Sequence, residues 1–293
     1  MSAFDHCQRF VFEASNIRGE IVQLENSWQA VLQHHQYPGN VRQKLGECVA
    51  AALLLGSTLK YEGSITLQIQ GNGEIKLLVV QVTSKRTFRA VAEYDAATVS
   101  DDLQQLFGNA NLVITLESER HKERYQSIIE LNQESISAAI NEYFSKSVQL
   151  KTELWLACDG SRAAGLLVQE MPGVAGVNTD ADLWDRVVTL SNTITADELL
   201  NLQVRMILHR LYNEEDVRLF DADSIRHFCP CSREKITMSL ISLGKNELDD
   251  IIKEMGSIEV TCEFCRCEYS FDKIDVETMF TEKIVSVQSD TTH

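Results

Sequence analysis

Proline and glycine are scarce in this 293-residue chain, three and fourteen respectively, which excludes a collagen-like or Pro/Gly-driven disordered polymer. Long apolar runs are missing as well. The longest, Cys48 to Leu55, is far short of the roughly 20 residues that a membrane-spanning helix needs. Basic charge is in deficit, with 27 Lys and Arg against 43 Asp and Glu for a net charge of −16. A phosphate-binding surface needs a basic stripe, and nothing larger than pairs such as Lys85-Arg86 is present. Neither nucleic acid nor a membrane is therefore an expected partner. The first residues, Met1 to Cys7, lack the basic-then-apolar layout of a secretory signal, so the expected location is the cytoplasm, where thiols stay reduced. Phosphate-cradling loops and nucleophile triads are also absent, which argues against an enzyme. Gly71-Asn72-Gly73 lacks the third glycine of a dinucleotide loop and sits between two strand patterns, so it reads as a hairpin turn.

What is present points to an α+β fold in about two domains, the number this length suggests. Strand patterns cover Arg18–Leu24, Ser64–Gln70, Ile75–Val82, Phe88–Glu93, Leu112–Leu116, Tyr125–Leu131, Thr152–Cys158 and Ala163–Met171. Helical spacing covers Asn26–Leu32, with Asn26 as the cap, a buried stretch from Val41 to about Lys60, and Ile136–Tyr143. These make a mixed sheet-and-helix N-terminal domain over residues 1–177. Over 178–228 the strand signals vanish; helical spacing runs through Leu183–Leu190 and Leu199–Leu211, with dense acids, and predicts a helical linker. It packs on its neighbour through an apolar stripe, or releases that stripe. Residues 229–293 form a small domain: a helix capped by Ser232 and stopped by Gly244, a second from Asn246 to Gly256, and strands at Ile258–Thr261 and Glu268–Phe271. Beyond Phe280 the tail is polar and reads as mobile.

The eight cysteines are unevenly placed. Cys7, Cys48 and Cys158 are scattered, and the latter two suit small core hydrophobes, whereas Cys229, Cys231, Cys262, Cys265 and Cys267 fall close together. In a reducing compartment such a cluster reads as a metal site or a redox device. Zinc takes four soft donors at tetrahedral corners. Cys229-Pro230-Cys231 and Cys262-Glu263-Phe264-Cys265 each present two thiolates from one turn, and the intervening helical hairpin brings the turns together. One Zn2+ held by Cys229, Cys231, Cys262 and Cys265 would supply much of the stability of so small a domain. His227 is a possible substitute donor. An inert zinc ribbon and a thioredoxin-like dithiol use the same residues, although the latter needs its CxxC to lead into a helix and here the chain continues strand-like.

Several segments together resemble the 33 kDa chaperonin (heat-shock protein 33) family. They are Arg18-Gly19-Glu20-Ile21-Val22, Gln36-Tyr37-Pro38, Leu45-Gly46-Glu47, Glu62 through Gly73, Glu123-Arg124-Tyr125-Gln126, Phe228 through Lys235, and Val260 through Cys265. The resemblance spans nearly the whole chain in order. It implies a redox-regulated, ATP-independent holdase chaperone that binds unfolding client proteins. Zinc would be held by Cys229, Cys231, Cys262 and Cys265 in the reduced, inactive form. Oxidation would join Cys229 to Cys231 and Cys262 to Cys265, expel the metal, unfold the small domain and destabilise the linker; the active form would be a homodimer. Cys267 departs from the expected pattern. It is a fifth thiol that is either a spare or a competitor for zinc or for Cys265.

Overall fold

A computed structural model describes residues 4–58, 62–95, 100–118, 123–148, 150–172, 180 and 182–289. The chain divides into two compact units, Met1–Phe228 and Cys229–His293.

The first unit begins with strands β1 (His6–Phe12) and β2 (Ile17–Leu24), then helices α1 (Asn26–Leu32) and α2 (Gly39–Thr58). Strands β3 (Gly63–Gln70), β4 (Ile75–Thr83) and β5 (Thr87–Tyr94), helix α3 (Leu103–Phe107), and strands β6 (Asn111–Ser118) and β7 (Arg124–Glu130) follow. Helix α4 (Ile136–Tyr143) precedes strands β8 (Thr152–Cys158) and β9 (Ala163–Glu170). Helices α5 (Leu183–Ser191), α6 (Ala196–Asn201) and α7 (Val204–Tyr212) lead to strands β10 (Val217–Ser224) and β11 (Arg226–His227).

The strands form a five-stranded sheet, β10-β1-β2-β9-β8, and a six-stranded sheet, β11-β5-β4-β3-β6-β7. Helix α2 packs against strands of both sheets, and its Cys48 through Ala52 are fully buried, so that stretch shows no polar face. Small residues permit the close approach: a Cβ added at Gly46 would lie 2.4 Å from the Cys158 sulfur. The five-stranded sheet is covered on both faces. Cys7, Val22, Leu24, Leu154, Ala163 and Leu167 join the core around α2. Phe10, Phe12, Ile17, Ile21, Leu166 and Val168 point the other way, into a second core completed by Leu183, Val187, Leu199, Leu200, Val204, Ile207, Leu208, Leu211 and Tyr212 from α5–α7. Double-sided burial explains why β9 reads as a nearly continuous apolar run rather than as alternation, and why β2 is buried almost throughout although it carries Arg18, Glu20 and Gln23. Gly19 belongs to that second face, where the Phe10 ring lies across it; a Cβ there would come within 2.1 Å of the ring.

Four local expectations are corrected. Helix α1 is not capped by Asn26. The Asp5 carboxylate accepts from the backbone N–H groups of Glu25, Asn26 and Ser27 at 3.0, 3.1 and 2.9 Å, taking up donors that the helix start leaves unpaired. Strand β1 and helix α3 add to the expected elements. In residues 178–228, where helices alone were expected, β10 pairs antiparallel with β1 and β11 pairs parallel with β5. Between Leu199 and Leu211 the single helical pattern is two helices, broken where Leu202 and Gln203 take extended backbone.

The second unit holds α8 (Arg233–Leu243), α9 (Lys245–Met255), strands β12 (Ile258–Thr261) and β13 (Glu268–Phe271), and α10 (Lys273–Ser289). Ser232 caps α8, accepting from the Lys235 N–H, as its position predicts. The buried core comprises Leu240, Leu248, Ile258, Phe271, Val276 and Met279. Of the tail beyond Phe280 expected to be mobile, residues 281–289 continue helix α10, and 290–293 lie outside the described residues. Asp272 accepts from the N–H groups of Ile274 and Asp275 at 2.8 and 2.9 Å, and Val276 and Met279 anchor its first turns in the core.

Candidate metal centre

Two turns place the thiols of the second unit. In the first, Cys229-Pro230-Cys231 runs into the Ser232 cap, and the Lys235 ammonium donates to the Pro230 carbonyl at 2.8 Å. In the second, β12 and β13 are joined by a tight reversal. The Arg266 N–H donates to the Cys262 carbonyl at 2.8 Å, and the Cys262 N–H donates to the Cys267 carbonyl at 2.9 Å. Arg266 takes a left-handed φ of 55° to close it. Arg233, beside the first turn, fastens α8 to the rest of the unit. Its guanidinium lies 4.2 Å above the Phe271 ring, donates to the Ser270 carbonyl at 2.8 Å and pairs with Asp275 at 2.8 Å.

The result is one four-sulfur group: the Sγ atoms of Cys229, Cys231, Cys262 and Cys265 all lie within 4.8 Å of one another. Across the turns, Cys229 and Cys262 are 3.7 Å apart, and Cys231 and Cys265 are 3.3 Å apart. A regular tetrahedron with zinc–sulfur bonds of about 2.3 Å has edges of about 3.8 Å. The donor set and its spacing therefore fit a single tetrahedral thiophilic ion. Cys267 lies outside the group and is exposed. His227 is not in it either; it lies on β11 with its ring 5.9 Å from Phe88.

Electrostatics distinguish the thiols. Burial raises the pKa values of Cys229 and Cys265. Burial acts the same way on Cys231, but hydrogen bonds from the Tyr269 hydroxyl and the neighbouring thiols outweigh it and lower that group to about 7. The Tyr269 hydroxyl donates to the Cys231 sulfur at 3.2 Å. Backbone groups contribute too: the N–H of Cys231 serves Cys229, and that of Cys267 serves Cys265. Such outer-shell donors orient ligand sulfurs and stabilise their anionic form. Tyr269 was not singled out from the sequence. Its signal was an aromatic hydroxyl on the same strand face as Phe271, four residues past the last ligand, where a half-buried tyrosine needs a partner.

The remaining cysteines belong to the first unit. Cys48 is fully buried in α2, and burial pushes Cys158 up to about 12. Cys7 is buried beside the Glu20 carboxyl, which also accepts from the Ser57 hydroxyl.

Residues 5–272 match the Hsp33 protein family. The chain belongs to the Hsp33 family. Among its curated relatives, the 33 kDa chaperonin of Nitrosococcus oceani is 42% identical over 293 residues, covering 100% of both chains. That of Pseudomonas savastanoi pv. phaseolicola is 44% identical over 296 residues, covering 99% of this chain and 98% of the relative. The crystal structure of the 33 kDa chaperonin from Thermotoga maritima superposes with a TM-score of 0.83 at 22% identity, covering 96% of this chain and 99% of that one. The likeness to that structure establishes the Hsp33 fold for this chain. Among the described residues, no helix is long and apolar enough to cross a membrane.

Proposed function

We propose that this protein is a redox-regulated, ATP-independent holdase of the cytoplasm that binds unfolding proteins and acts without catalysing a reaction. The observation that carries the reading is the four-sulfur group at the centre of a unit with only a thin apolar core. Cys229, Cys231, Cys262 and Cys265 would hold one Zn2+. When bound, zinc supplies a four-way cross-link between the turn before α8 and the turn between β12 and β13. Structural zinc contributes about 10–16 kcal/mol in small zinc peptides, comparable to or above the roughly 5–15 kcal/mol stability of a typical domain.

Oxidation removes that cross-link without replacing it. Each of the pairs Cys229–Cys231 and Cys262–Cys265 gives up two electrons and two protons, and one peroxide is reduced to two waters per disulfide. A disulfide inside a turn of three or four residues closes a tiny loop and leaves the two turns untied. The second unit then unfolds, and the segment that leads into it, with helices α5–α7, is destabilised in turn. Beneath them lies the face of Phe10, Phe12, Ile17, Ile21, Leu166 and Val168, an apolar surface suited to exposed segments of unfolding clients. Association of two opened chains into a homodimer follows the same logic, since each exposes the same face.

Light scattering from a thermally unfolding client, without ATP, tests the reading. Zinc-loaded reduced protein is expected to leave aggregation unchanged, and protein treated with peroxide and mild heat is expected to suppress it. Equal behaviour of the two samples overturns the switch.

A further inference from the structure

Cys267 is the one cysteine among 229–267 that is exposed; Cys262 and Cys265 are buried, and Cys229 and Cys231 half-buried. It is not part of the four-sulfur group, yet it lies in the same reversal, two residues past Cys265. The reversal between β12 and β13 turns residue 267 back toward the centre, with its carbonyl on the Cys262 N–H at 2.9 Å. Its thiol and its backbone N–H both interact with the Cys265 sulfur. An accessible thiol outside the four-sulfur group thus sits beside one of the four buried or half-buried donors.

We propose that Cys267 is where oxidant first attacks the centre, and that a Cys265–Cys267 disulfide is the first bond formed. This rests on the reading of the four sulfurs as a redox-sensitive metal centre. The Cys267 thiol reduces one peroxide, becoming a sulfenic acid and releasing one water. The Cys265 thiol then attacks that sulfur, forming the disulfide and releasing a second water. The donor set falls from four sulfurs to three. Cys262, freed in the same turn, attacks the Cys265 sulfur; the Cys262–Cys265 bond forms, and Cys267 leaves as a thiol after taking up a proton. Cys267 is thereby a relay that is recovered, and the end product is the within-turn disulfide.

Arg266 makes the test direct. Trypsin cuts after Lys253, Arg266 and Lys273, so Cys262 and Cys265 fall in peptide 254–266 and Cys267 falls in peptide 267–273. Full-length zinc-loaded protein is mixed with one equivalent of hydrogen peroxide, quenched with an alkylating agent at successive times and mapped without reduction, while a chromogenic chelator follows zinc release. The expected first product is peptide 254–266 disulfide-linked to 267–273, with fragmentation between Glu263 and Phe264 assigning the bond to Cys265. It then decays as 254–266 with an internal bond accumulates. Cys267→Ser, shown beforehand to bind one zinc, is expected to release it several-fold more slowly and still reach the internal bond. Unchanged release in Cys267→Ser, or an internal bond that forms with no linked pair preceding it, overturns the relay and leaves the redox centre standing. Wild-type protein that forms neither bond and keeps its zinc overturns both.

Discussion

If helices α5–α7 cover the client-binding face, loosening their hold should activate the protein without any oxidant, and Tyr212 is the place to test this. It lies at the end of α7, buried, with ring centroids 6.0 Å from Phe10 and 5.0 Å from Phe12 on β1. Its hydroxyl is hydrogen-bonded to the Ser191 hydroxyl on α5 at 2.5 Å, and Ser191 donates to the Val187 carbonyl at 2.6 Å. One side chain thus joins two linker helices to the sheet. Tyr212→Phe removes one net hydrogen bond, worth about 1 kcal/mol, and keeps the ring contacts. Tyr212→Ala empties a buried aromatic site, which costs about 3–5 kcal/mol. At about 1.4 kcal/mol per factor of ten, the phenylalanine variant shifts the covered-to-open ratio roughly fivefold and the alanine variant by two to more than three powers of ten. Reduced, zinc-loaded Tyr212→Ala should suppress client aggregation where wild type does not, with Tyr212→Phe close to wild type. Limited proteolysis should find new cuts within 182–216 in the alanine variant alone, while the core around α2 stays resistant. A linker that is cut readily in a variant that still fails to suppress aggregation would refute the assignment of the covered face as the client surface.

Chelating the metal from reduced protein should abolish the cooperative melting of the second unit, read as loss of helical circular dichroism from α8 and α9; a unit that stays folded without metal would contradict its dependence on the four sulfurs. Tyr269→Phe removes the hydroxyl that donates to Cys231, and zinc competition with a chromogenic chelator should show affinity reduced about 10–100-fold, the usual cost of losing an outer-shell partner; unchanged affinity would make the contact incidental. Glu20 is held above its ordinary pKa of 4.5 chiefly by burial, against hydrogen bonds from Ser57 and Cys7. The folded chain therefore binds this proton more tightly than the unfolded chain does. The stabilisation is complete below pH 4.5 and is lost as pH rises through the raised value. Glu20→Gln keeps an acceptor for Ser57 and should flatten that decline. The three tryptophans, Trp28, Trp155 and Trp184, all lie in the first unit, so their fluorescence melts report it; an unchanged slope between pH 4.5 and 7 would rule the carboxyl out.

The sequence was most legible where one physical constraint acted alone. Strand β3 alternates cleanly because one face packs in the core and the other is half-covered. Paired thiols at short spacing announced the metal-capable group, and the structure brings those four together while leaving Cys267 outside. Strand β1 gave little signal because its apolar residues are divided between two cores. Alternation sends Cys7 to one face and Phe10 and Phe12 to the other, so no single apolar face stands out. Strand β10, with Asp221 and Asp223 on a largely exposed edge, carries almost no local strand signal. It exists because it pairs with β1, more than 200 residues away in the chain, a partner no local pattern reveals.

That hidden strand bears on how the proposed switch is wired. The route back from Cys229 passes through the two-residue β11, then β10, and reaches Tyr212 after a short turn. Strand β10 is an edge strand. Its first half packs Val217 and Leu219 on the second core. Beyond that and its ladder to β1 it is held by Arg86–Asp223 at 2.7 Å, Arg218–Glu13 at 2.9 Å and a hydrogen bond from the Gln8 side chain to the Phe220 carbonyl at 2.8 Å. Exposed ion pairs of this kind contribute about 0–1 kcal/mol each, so once the chain beyond 228 unfolds, the exposed end of β10 from Asp221 to Ser224 can fray at little cost. The resistance lies further in. Tyr212 anchors α7, and the buried Gln23 amide donates to the carbonyls of Leu199 and Leu202 at 2.9 and 2.8 Å, holding the end of α6 on β2. In the proposed switch, sensor and threshold are therefore separate parts. The cysteines would decide whether the second unit is folded, and a few buried contacts on β1 and β2 would decide how much further disturbance, such as heat, is needed to uncover the sheet.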